Sequence, residues 1–423
     1  MMQEWFKSAK LGIFIHWGIY AVYGIPESWA FYKGEISYED YMKQCEGFNA
    51  QKYNAREWAE LFEKAGARYA VLTAKHHDGV ALWDTKLSDL SVVKKTPAAR
   101  DLIKPYCDAL REKNIKVGLY FSHLDWSHPH YASIKCRIED LVCKYNSPQG
   151  IDDYETWEKF LQFHRGQLKE LCTNYGKIDL LWFDGGWERT SEQWKMKELR
   201  EYLHNINNEV ILNSRIGQYG DYETPEQGVP IVRPKGVWEF CMTINDSWGY
   251  QHKDRNFKSV RQIIRIFTEC IGMGGNLLLD IGPKADGTII PEQEERLIAL
   301  GKWIKKNQEA VYTSDAGLPR GHFYGPSTLS KEQEILYLFQ YDRPWDSIYV
   351  KGIRNNIKRI SILSSGKELA FKKVGGAPWV NIPGTLCIDL DEQDMDSNCT
   401  VIKVELDGPL DLFRGRGQEI EKN

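Results

Sequence analysis

Short apolar runs alternate with amphipathic stretches between Leu11 and about Ile304. Runs of this length, bounded by turn-forming residues, predict strands that are buried on both faces. The predicted strands cover residues 12–15, 69–74, 116–121, 178–183, 210–213 and 276–281. Strands that alternate with helices in this way indicate a parallel βα architecture.

The stretches between these strands carry their apolar residues on one helical stripe. Residues 55–65 show this pattern and are followed by Gly66, a helix stop signal. Residues 100–114 repeat it, and residues 291–305 begin with a proline that suits a first helical turn. So many βα units, without a Gly-x-Gly-x-x-Gly after the first strand, favour a TIM-like (β/α)8 barrel over a doubly wound sheet.

After Thr313 the pattern changes to short β-rich runs separated by Gly, Pro, Asn and Asp clusters. These runs cover residues 335–341, 347–351, 359–363, 384–390 and 400–406. Such runs predict an antiparallel β-sandwich. We therefore predict an α/β barrel domain at 1–312 and a C-terminal β-sandwich domain at 313–423, with residues 315–325 as the linker.

The composition narrows the choice of partners. A net charge of -4 and the lack of a compact Lys/Arg run argue against nucleic acid. No apolar run reaches membrane-spanning length, so we expect no membrane partner. The 15 Trp and 22 Tyr residues suit sugar rings, which stack on aromatic faces, as well as a packed core.

The nine cysteines include no Cys-x-x-Cys pair and show no disulfide framework. We expect buried, reduced thiols, which favours the cytoplasm. Residues 1–10 lack the apolar core of a signal peptide, but a periplasmic or secreted protein whose signal peptide was removed would look the same. The compartment stays open, as does the choice between a monomer and a homo-oligomer.

Polar and aromatic side chains follow four of the predicted strands, in residues 14–18, 75–79, 120–126 and 182–185. The carboxyl ends of barrel strands meet at one rim, so these motifs would place three imidazoles, several indoles and Asp184 around one cavity. A polyhydroxylated ligand suits such a lining. Asp184 and Gly185 also form a common turn signal, which often ends a strand without any chemistry.

The adjacent His76 and His77 raise the question of a metal site. The chain has no His-Glu-x-x-His and no thiolate pair, and neighbouring residues in an extended chain point in opposite directions. We expect no metal and no cofactor, and we expect these imidazoles to bond to hydroxyl groups. His123, His128 and His130 form a second group, in a loop where solvated or packed histidines are more common than ligands.

Retaining glycoside hydrolysis needs two carboxyl groups about 5 Å apart, one as the nucleophile and one as the acid/base. Asp184 is the candidate nucleophile. The next acidic loop offers Asp221, Glu223 and Glu226 as its partner. Their spacing does not choose among the three.

Five ordered motifs resemble those of glycoside hydrolase family twenty-nine, the α-L-fucosidases, over about residues 5–304. They lie at residues 10–18, 75–79, 118–122, 181–184 and 274–283, the last followed by Asp-Gly at 286–287. The resemblance implies a (β/α)8-like catalytic barrel followed by a β-sandwich. It also implies hydrolysis of terminal α-L-fucose from an oligosaccharide or glycoconjugate, with retention, through a covalent intermediate and without a metal.

The resemblance assigns roles to individual residues. Asp184 matches the nucleophile and Glu226 the acid/base, with Glu223 as the alternative. Arg215 matches an arginine near the acid/base. Matches to the sugar-binding positions are His16, Glu27, Trp29, His76, His77, Tyr120 and Trp182, and Trp238 is expected in an aromatic wall around the 6-methyl group of the sugar.

The chain departs from the family pattern where Ser28 separates Glu27 from Trp29, since many members have Glu and Trp adjacent. The His-Trp-Gly at 16–18 resembles the broad-specificity group more than the group restricted to branched 1,3/1,4-linked fucose. Two alternatives stay open. One is an inactive fucose-binding protein, which would require loss of a carboxylate, and the other is a glycosidase for a related galacto-configured sugar.

Overall fold

A computed structural model describes residues 2–135 and 152–417 of the chain. One sheet of this structure contains the strands β1 (Leu11–Ile15), β2 (Tyr69–Lys75), β3 (Lys116–Ser122), β4 (Leu180–Asp184), β5 (Ile211–Leu212), β6 (Glu239–Thr243) and β7 (Asn276–Ile281). Their order in the sheet is β5-β4-β3-β2-β1-β7-β6. From β1 to β5 neighbouring strands pair in parallel, and nearly all of their residues are buried. The sheet is a parallel half-barrel.

The six predicted strands of this region are confirmed, with ends that differ by up to two residues. β6 was not predicted. Its sequence, Glu-Phe-Cys-Met-Thr, begins and ends with polar residues, so no long apolar run marks it, although all five residues are buried in the sheet. Tertiary contacts bury the polar ends.

Residues 222–226 lie between β5 and β6 and connect to both through single bridges. Tyr222 bridges to Asn213, just after β5, and Glu226 bridges to Cys241 of β6, both in the parallel direction. The segment therefore runs beside β6 and carries Glu226 toward its carboxyl end.

The α-helices of the described residues are α1 (Glu4–Lys7), α2 (Trp29–Tyr32), α3 (Tyr38–Met42), α4 (Ala55–Ala65), α5 (Val92–Lys95), α6 (Ile103–Glu112), α7 (Tyr154–Asn174), α8 (Met196–Ile206), α9 (Val260–Gly272), α10 (Pro291–Lys306) and α11 (Gln308–Tyr312). The bounds of α4 are those predicted: the Asn54 side chain caps its start, and Gly66 adopts a φ of 86° at its end. α6 is shorter than predicted because Asp101 accepts the first backbone N–H groups. No helix in the described ranges is long and apolar enough to cross a membrane.

The C-terminal region contains β8 (Ser314–Ala316), β9 (Ser327–Ser330), β10 (Ile335–Gln340), β11 (Ile348–Val350), β12 (Ile357–Ile362), β13 (Phe371–Val374), β14 (Thr385–Ile388) and β15 (Thr400–Leu406). They form two antiparallel sheets, ordered β12-β15-β10-β9-β8 and β11-β14-β13. Side chains from both sheets share one buried apolar cluster. The five predicted β runs are confirmed. The predicted linker is wrong at its start, because Asp315 belongs to β8 and pairs with Leu329 of β9.

Backbone contacts divide the chain into two compact units. The first comprises residues 1–228, 234–257 and 278–298, and the second comprises residues 229–233, 258–277 and 299–423, within the described ranges. α9 thus groups with the C-terminal sheets, and it packs against β9. The single boundary at residue 312 stays a prediction.

Candidate active site

A small cavity of about 100 Å³ lies at the carboxyl ends of β1 to β4. The strand ends that carry it are those where the sequence places polar and aromatic residues, and loops after the strands complete it. The lining residues are Phe14, His16, Glu27, Trp29, His76, Tyr120, Trp182, Asp184, Trp187, Arg215, Glu226 and Trp248. The structure thus brings nine of the eleven predicted site residues into one lining, and the exceptions are His77 and Trp238.

Asp184 is the last residue of β4, and 18% of its side chain is exposed. The Tyr120 hydroxyl donates to Asp184 Oδ2 at 3.0 Å, and a terminal nitrogen of Arg215 lies 3.5 Å from Oδ1. The pKa of Asp184 is raised to about 6, mainly by burial, while the charge of Arg215 lowers it and that of Glu226 raises it. Gly185 follows with a φ of 81°, and a Cβ there would lie 2.3 Å from Leu124, which explains the Asp-Gly sequence.

The Arg215 guanidinium group joins Asp184 to Glu226. Its other terminal nitrogen donates to Glu226 Oε2 at 2.9 Å. Glu226 lies at the end of residues 222–226, and 41% of its side chain is exposed, so it faces the cavity and the solvent together. Glu223 is exposed and does not line the cavity. Of the two glutamates considered, the structure places Glu226 beside Asp184.

Ser122 determines the tautomer of His77. The Ser122 hydroxyl donates to the carbonyl oxygen of Leu124 at 2.8 Å, so it accepts from the Nδ1–H of His77, 2.6 Å away. Nε2 of His77 then carries a lone pair; it is buried without a hydrogen-bond partner, 3.8 Å from Asp184 Oδ2. Burial lowers the pKa of His77 to about 3, so the neutral ring can accept a hydrogen bond from a hydroxyl group.

His16 and His76 are also held through their Nδ1 atoms. His16 Nδ1 lies 2.6 Å from Asp280 Oδ1, and His76 Nδ1 lies 2.7 Å from Ser28 Oγ. Burial lowers the pKa of both imidazoles well below the usual range, and a neighbouring imidazole lowers each further. Nε2 is the remaining polar atom of each ring, and both rings line the cavity.

Glu27 and Trp29 both line the cavity although Ser28 separates them. Glu27 accepts a hydrogen bond from the backbone N–H of Gly249, and burial raises the pKa of Glu27. Ser28 is fully buried, and its hydroxyl bonds to His76 and accepts the N–H of Asp78. The inserted serine therefore orients a neighbouring imidazole.

The aromatic wall of the cavity differs from the prediction. Trp238 does not line the cavity; it is 1% exposed, and it precedes β6, where it bridges to Glu223, three residues before the bridge of Cys241 to Glu226. Trp187 and Trp248 take part instead, and Trp187 stacks against Trp29 with ring centroids 6.4 Å apart. Trp248 was missed because it follows the unpredicted β6, whereas the proximity of Trp187 to Asp184 was a signal in the sequence.

The second histidine group lies apart from the cavity. His123 is buried with its Nδ1 3.0 Å from Nε2 of His164, and burial lowers the pKa of His123 to about 3. In residues 2–135 and 152–417, no three His, Cys, Asp or Glu side chains converge to hold a metal ion. The seven cysteines of these ranges are buried and form no disulfide; Cys136 and Cys143 lie outside them.

Two carboxylates at one aromatic cavity, at the carboxyl ends of parallel strands, define the class of the glycoside hydrolases. Comparison with known proteins supports this class. Residues 1–309 match the model of the α-L-fucosidases. The chain is 36% identical to human tissue α-L-fucosidase over 344 residues, which cover 74% of this chain and 70% of the human protein. The chain belongs to the α-L-fucosidase family, glycoside hydrolase family 29.

Solved structures agree with this assignment. α-L-Fucosidase isoenzyme 1 from Paenibacillus thiaminolyticus superposes with a TM-score of 0.86 at 33% identity, over 96% of this chain and 98% of that one. A family 29 α-L-fucosidase from Bacteroides thetaiotaomicron, solved as a trapped covalent intermediate with a 2-fluoro-fucosyl fluoride, superposes with a TM-score of 0.81 at 26% identity, over 95% of each chain.

Proposed function

We propose that this glycoside hydrolase removes terminal α-L-fucosyl groups from glycans and glycoconjugates with retention of configuration, through a covalent intermediate on Asp184. The contact of one guanidinium group with both Asp184 and Glu226 carries the proposal. Because both carboxyl groups contact this one guanidinium group, they lie close together, as a retaining mechanism requires. The covalent intermediate trapped in the Bacteroides relative is consistent with this mechanism.

In the first step the carboxylate of Asp184 attacks C1 of the fucosyl group while the protonated Glu226 donates its proton to the leaving oxygen. The attack converts Asp184 to an ester and removes its negative charge. Glu226 is then the only anion of the pair, and it takes a proton from the water that attacks C1 and releases Asp184. Arg215 stabilises whichever carboxylate is charged at each stage.

The cavity suits a small deoxy sugar. The Nε2 atoms of His16 and His76, whose rings line the cavity, supply hydrogen-bonding groups for its hydroxyls, and Phe14 and Trp248 supply apolar surface for a 6-methyl group. The ring of His77 does not line the cavity, but its unpartnered Nε2 lies 3.8 Å from Asp184 Oδ2 and is a further acceptor for a hydroxyl bound there. This apolar surface favours fucose over galactose, which has a hydroxyl at the same carbon.

We further propose that the half-barrel closes into a complete (β/α)8 barrel and that the two C-terminal sheets form a β-sandwich. The bridges of residues 222–226 to both edges of the sheet support closure, with this segment at the eighth position. The apolar cluster that the two antiparallel sheets share supports the sandwich.

A panel of 4-nitrophenyl glycosides tests the proposed substrate. We expect release of nitrophenolate from the α-L-fucoside and much slower release from the α-L-galactoside, which carries a hydroxyl on the methyl carbon. Faster release from the galactoside would indicate that the substrate is a related galacto-configured sugar and not fucose. Binding of L-fucose in calorimetry without hydrolysis of any glycoside would indicate an inactive binding protein.

The raised pKa of Asp184 predicts the acidic side of the pH profile. The nucleophile must be ionised, so kcat/KM should fall as the pH decreases through about 6, where Asp184 in the free enzyme takes up a proton. Arg215→Met removes the charge that lowers this pKa, so the acidic limb should move to higher pH. The variant should also have a lower maximal kcat/KM. The profiles are measured with the aryl fucoside. An acidic limb at the same pH in both enzymes would assign it to another group.

A further inference from the structure

Glu239, the first residue of β6, is a carboxylate with no exposed surface, and its two hydrogen-bond partners belong to a buried cluster of apolar and aromatic side chains. Its Oε1 accepts the indole N–H of Trp182 at 2.8 Å, and its Oε2 accepts the hydroxyl of Tyr69 at 2.5 Å. Both oxygens therefore have a donor, and the side chain does not line the cavity. Burial raises the pKa of Glu239 to about 7, because a buried site disfavours the charged form of the carboxyl group.

The indole that Glu239 holds lies beneath both carboxylates of the site. The Trp182 ring stacks on Tyr120 with centroids 5.7 Å apart and an interplanar angle of 17°. The guanidinium carbon of Arg215 lies 5.5 Å from the centre of the same ring. Tyr120 donates to Asp184, and Arg215 contacts Asp184 and Glu226. One ring thus supports the two groups that hold the carboxylates.

We propose that Glu239 is a positioning residue that acts on catalysis through Trp182, an inference that rests on the proposed roles of Asp184 and Glu226. The hydrogen bond from Trp182 Nε1 to Glu239 fixes the orientation of the indole ring. The positions of Tyr120 and Arg215, which both pack against this ring, depend on that orientation. Removing this carboxylate would leave the indole N–H of Trp182 and the hydroxyl of Tyr69 without their acceptor in the core. Here its replacement disturbs the geometry of the two carboxylates, to which turnover is sensitive.

Graded variants test this role. Glu239→Leu removes the acceptor and should lower kcat/KM for the aryl fucoside about 100-fold. Glu239→Gln keeps an oxygen that accepts the Trp182 N–H and should retain much of the activity, with a loss of less than about 10-fold. The matched control is Asp179→Asn, a buried carboxylate at the other end of β4 that bonds to the backbone of Val117. It should lower the melting temperature and change kcat/KM by less than about 2-fold.

A double-mutant cycle separates action through Trp182 from general destabilisation. In a Trp182→Phe background Oε1 of Glu239 has lost its donor and only the bond from Tyr69 remains, so adding Glu239→Leu should lower kcat/KM by less than about 3-fold further. A further loss of about 100-fold in that background would overturn the inference. Equal losses in Glu239→Leu and Glu239→Gln, or a loss in Asp179→Asn as large as that in Glu239→Leu, would also overturn it.

Two further measurements distinguish this inference from the proposed function. A direct acid/base role of Glu239 would make the loss small for good leaving groups and large for poor ones, whereas a positioning role gives a similar loss for both. Binding of L-fucose in calorimetry does not require hydrolysis, and Glu239→Leu should weaken it about 10-fold in the wild-type but not in the Trp182→Phe background. If the two substitutions are coupled in this way but the protein hydrolyses no glycoside, the proposed function is refuted and the inference stands. If the protein is active but the effects of the two substitutions on binding are additive, the inference is refuted and the proposed function stands.

Discussion

Replacing Asp184 by glycine is expected to reduce kcat for aryl α-L-fucosides by at least about 10⁴-fold. The variant lacks the oxygen that forms the covalent bond, and water in the vacated space is a weaker and poorly placed nucleophile. Added azide should occupy this space, restore part of the rate and give β-L-fucosyl azide, with inverted configuration. The product is identified by NMR, and the rate by release of the aryl group.

A second variant separates loss of the nucleophile from loss of the fold. Asp184→Asn keeps the size of the side chain and an oxygen that can accept from Tyr120, so its circular dichroism should match the wild type. It should be as inactive as the glycine variant, and azide should rescue it poorly because the amide fills the space. Wild-type turnover in either variant would refute the assignment of Asp184.

Glu226→Ala is expected to have the second largest effect, and the effect should depend on the leaving group. Proton donation contributes about 10² to 10⁴-fold for substrates whose leaving group needs it. The loss of kcat/KM should therefore be large for fucosyl oligosaccharides and small for a dinitrophenyl fucoside. Azide should accelerate the second step, which no longer has its general base, and give α-L-fucosyl azide with retained configuration.

Glu223→Ala is the matched control, since Glu223 lies three residues earlier on the same segment and is exposed outside the cavity. Its kcat/KM should stay within about 2-fold of the wild type for both classes of substrate, as for most surface substitutions. A dependence on the leaving group in Glu223→Ala, together with normal behaviour in Glu226→Ala, would reverse the two roles.

Much of the site was predictable because its residues follow apolar strands directly. His16, His76, Tyr120 and Asp184 each lie at or just after a predicted strand, and parallel strands bring their carboxyl ends to one edge. Local sequence and a general rule of topology were therefore sufficient for them.

The carboxylate that partners Asp184 could not be identified from the residue pattern alone. Residues 222–226 form no regular element, and Asp221, Glu223 and Glu226 had equal standing in the residue pattern alone. The bridge of Glu226 to Cys241 and its bond to Arg215 distinguish it, and both are contacts between distant parts of the chain. The resemblance to the family favoured the same glutamate without showing why.

The wall of the cavity and its support were beyond the sequence pattern. β6 begins with Glu239 and ends with Thr243, so its polar ends hid the strand, and Trp248 was lost with it. Trp238 was placed in the wall because it is aromatic, but it is buried before the start of β6 and bridges to Glu223, away from the cavity.

By itself, the amino-acid sequence determined the alternation of buried strands and helices, the change to β-rich runs after Thr313, and the polar and aromatic residues at the strand ends. These follow from local periodicity and turn chemistry, which short stretches encode. The tertiary structure alone decided the tautomer of His77, the bridging position of Arg215 and the burial of Glu239 beneath Trp182. Each depends on hydrogen bonds or charges between residues on different strands and loops, and their distances are set only when the sheet assembles.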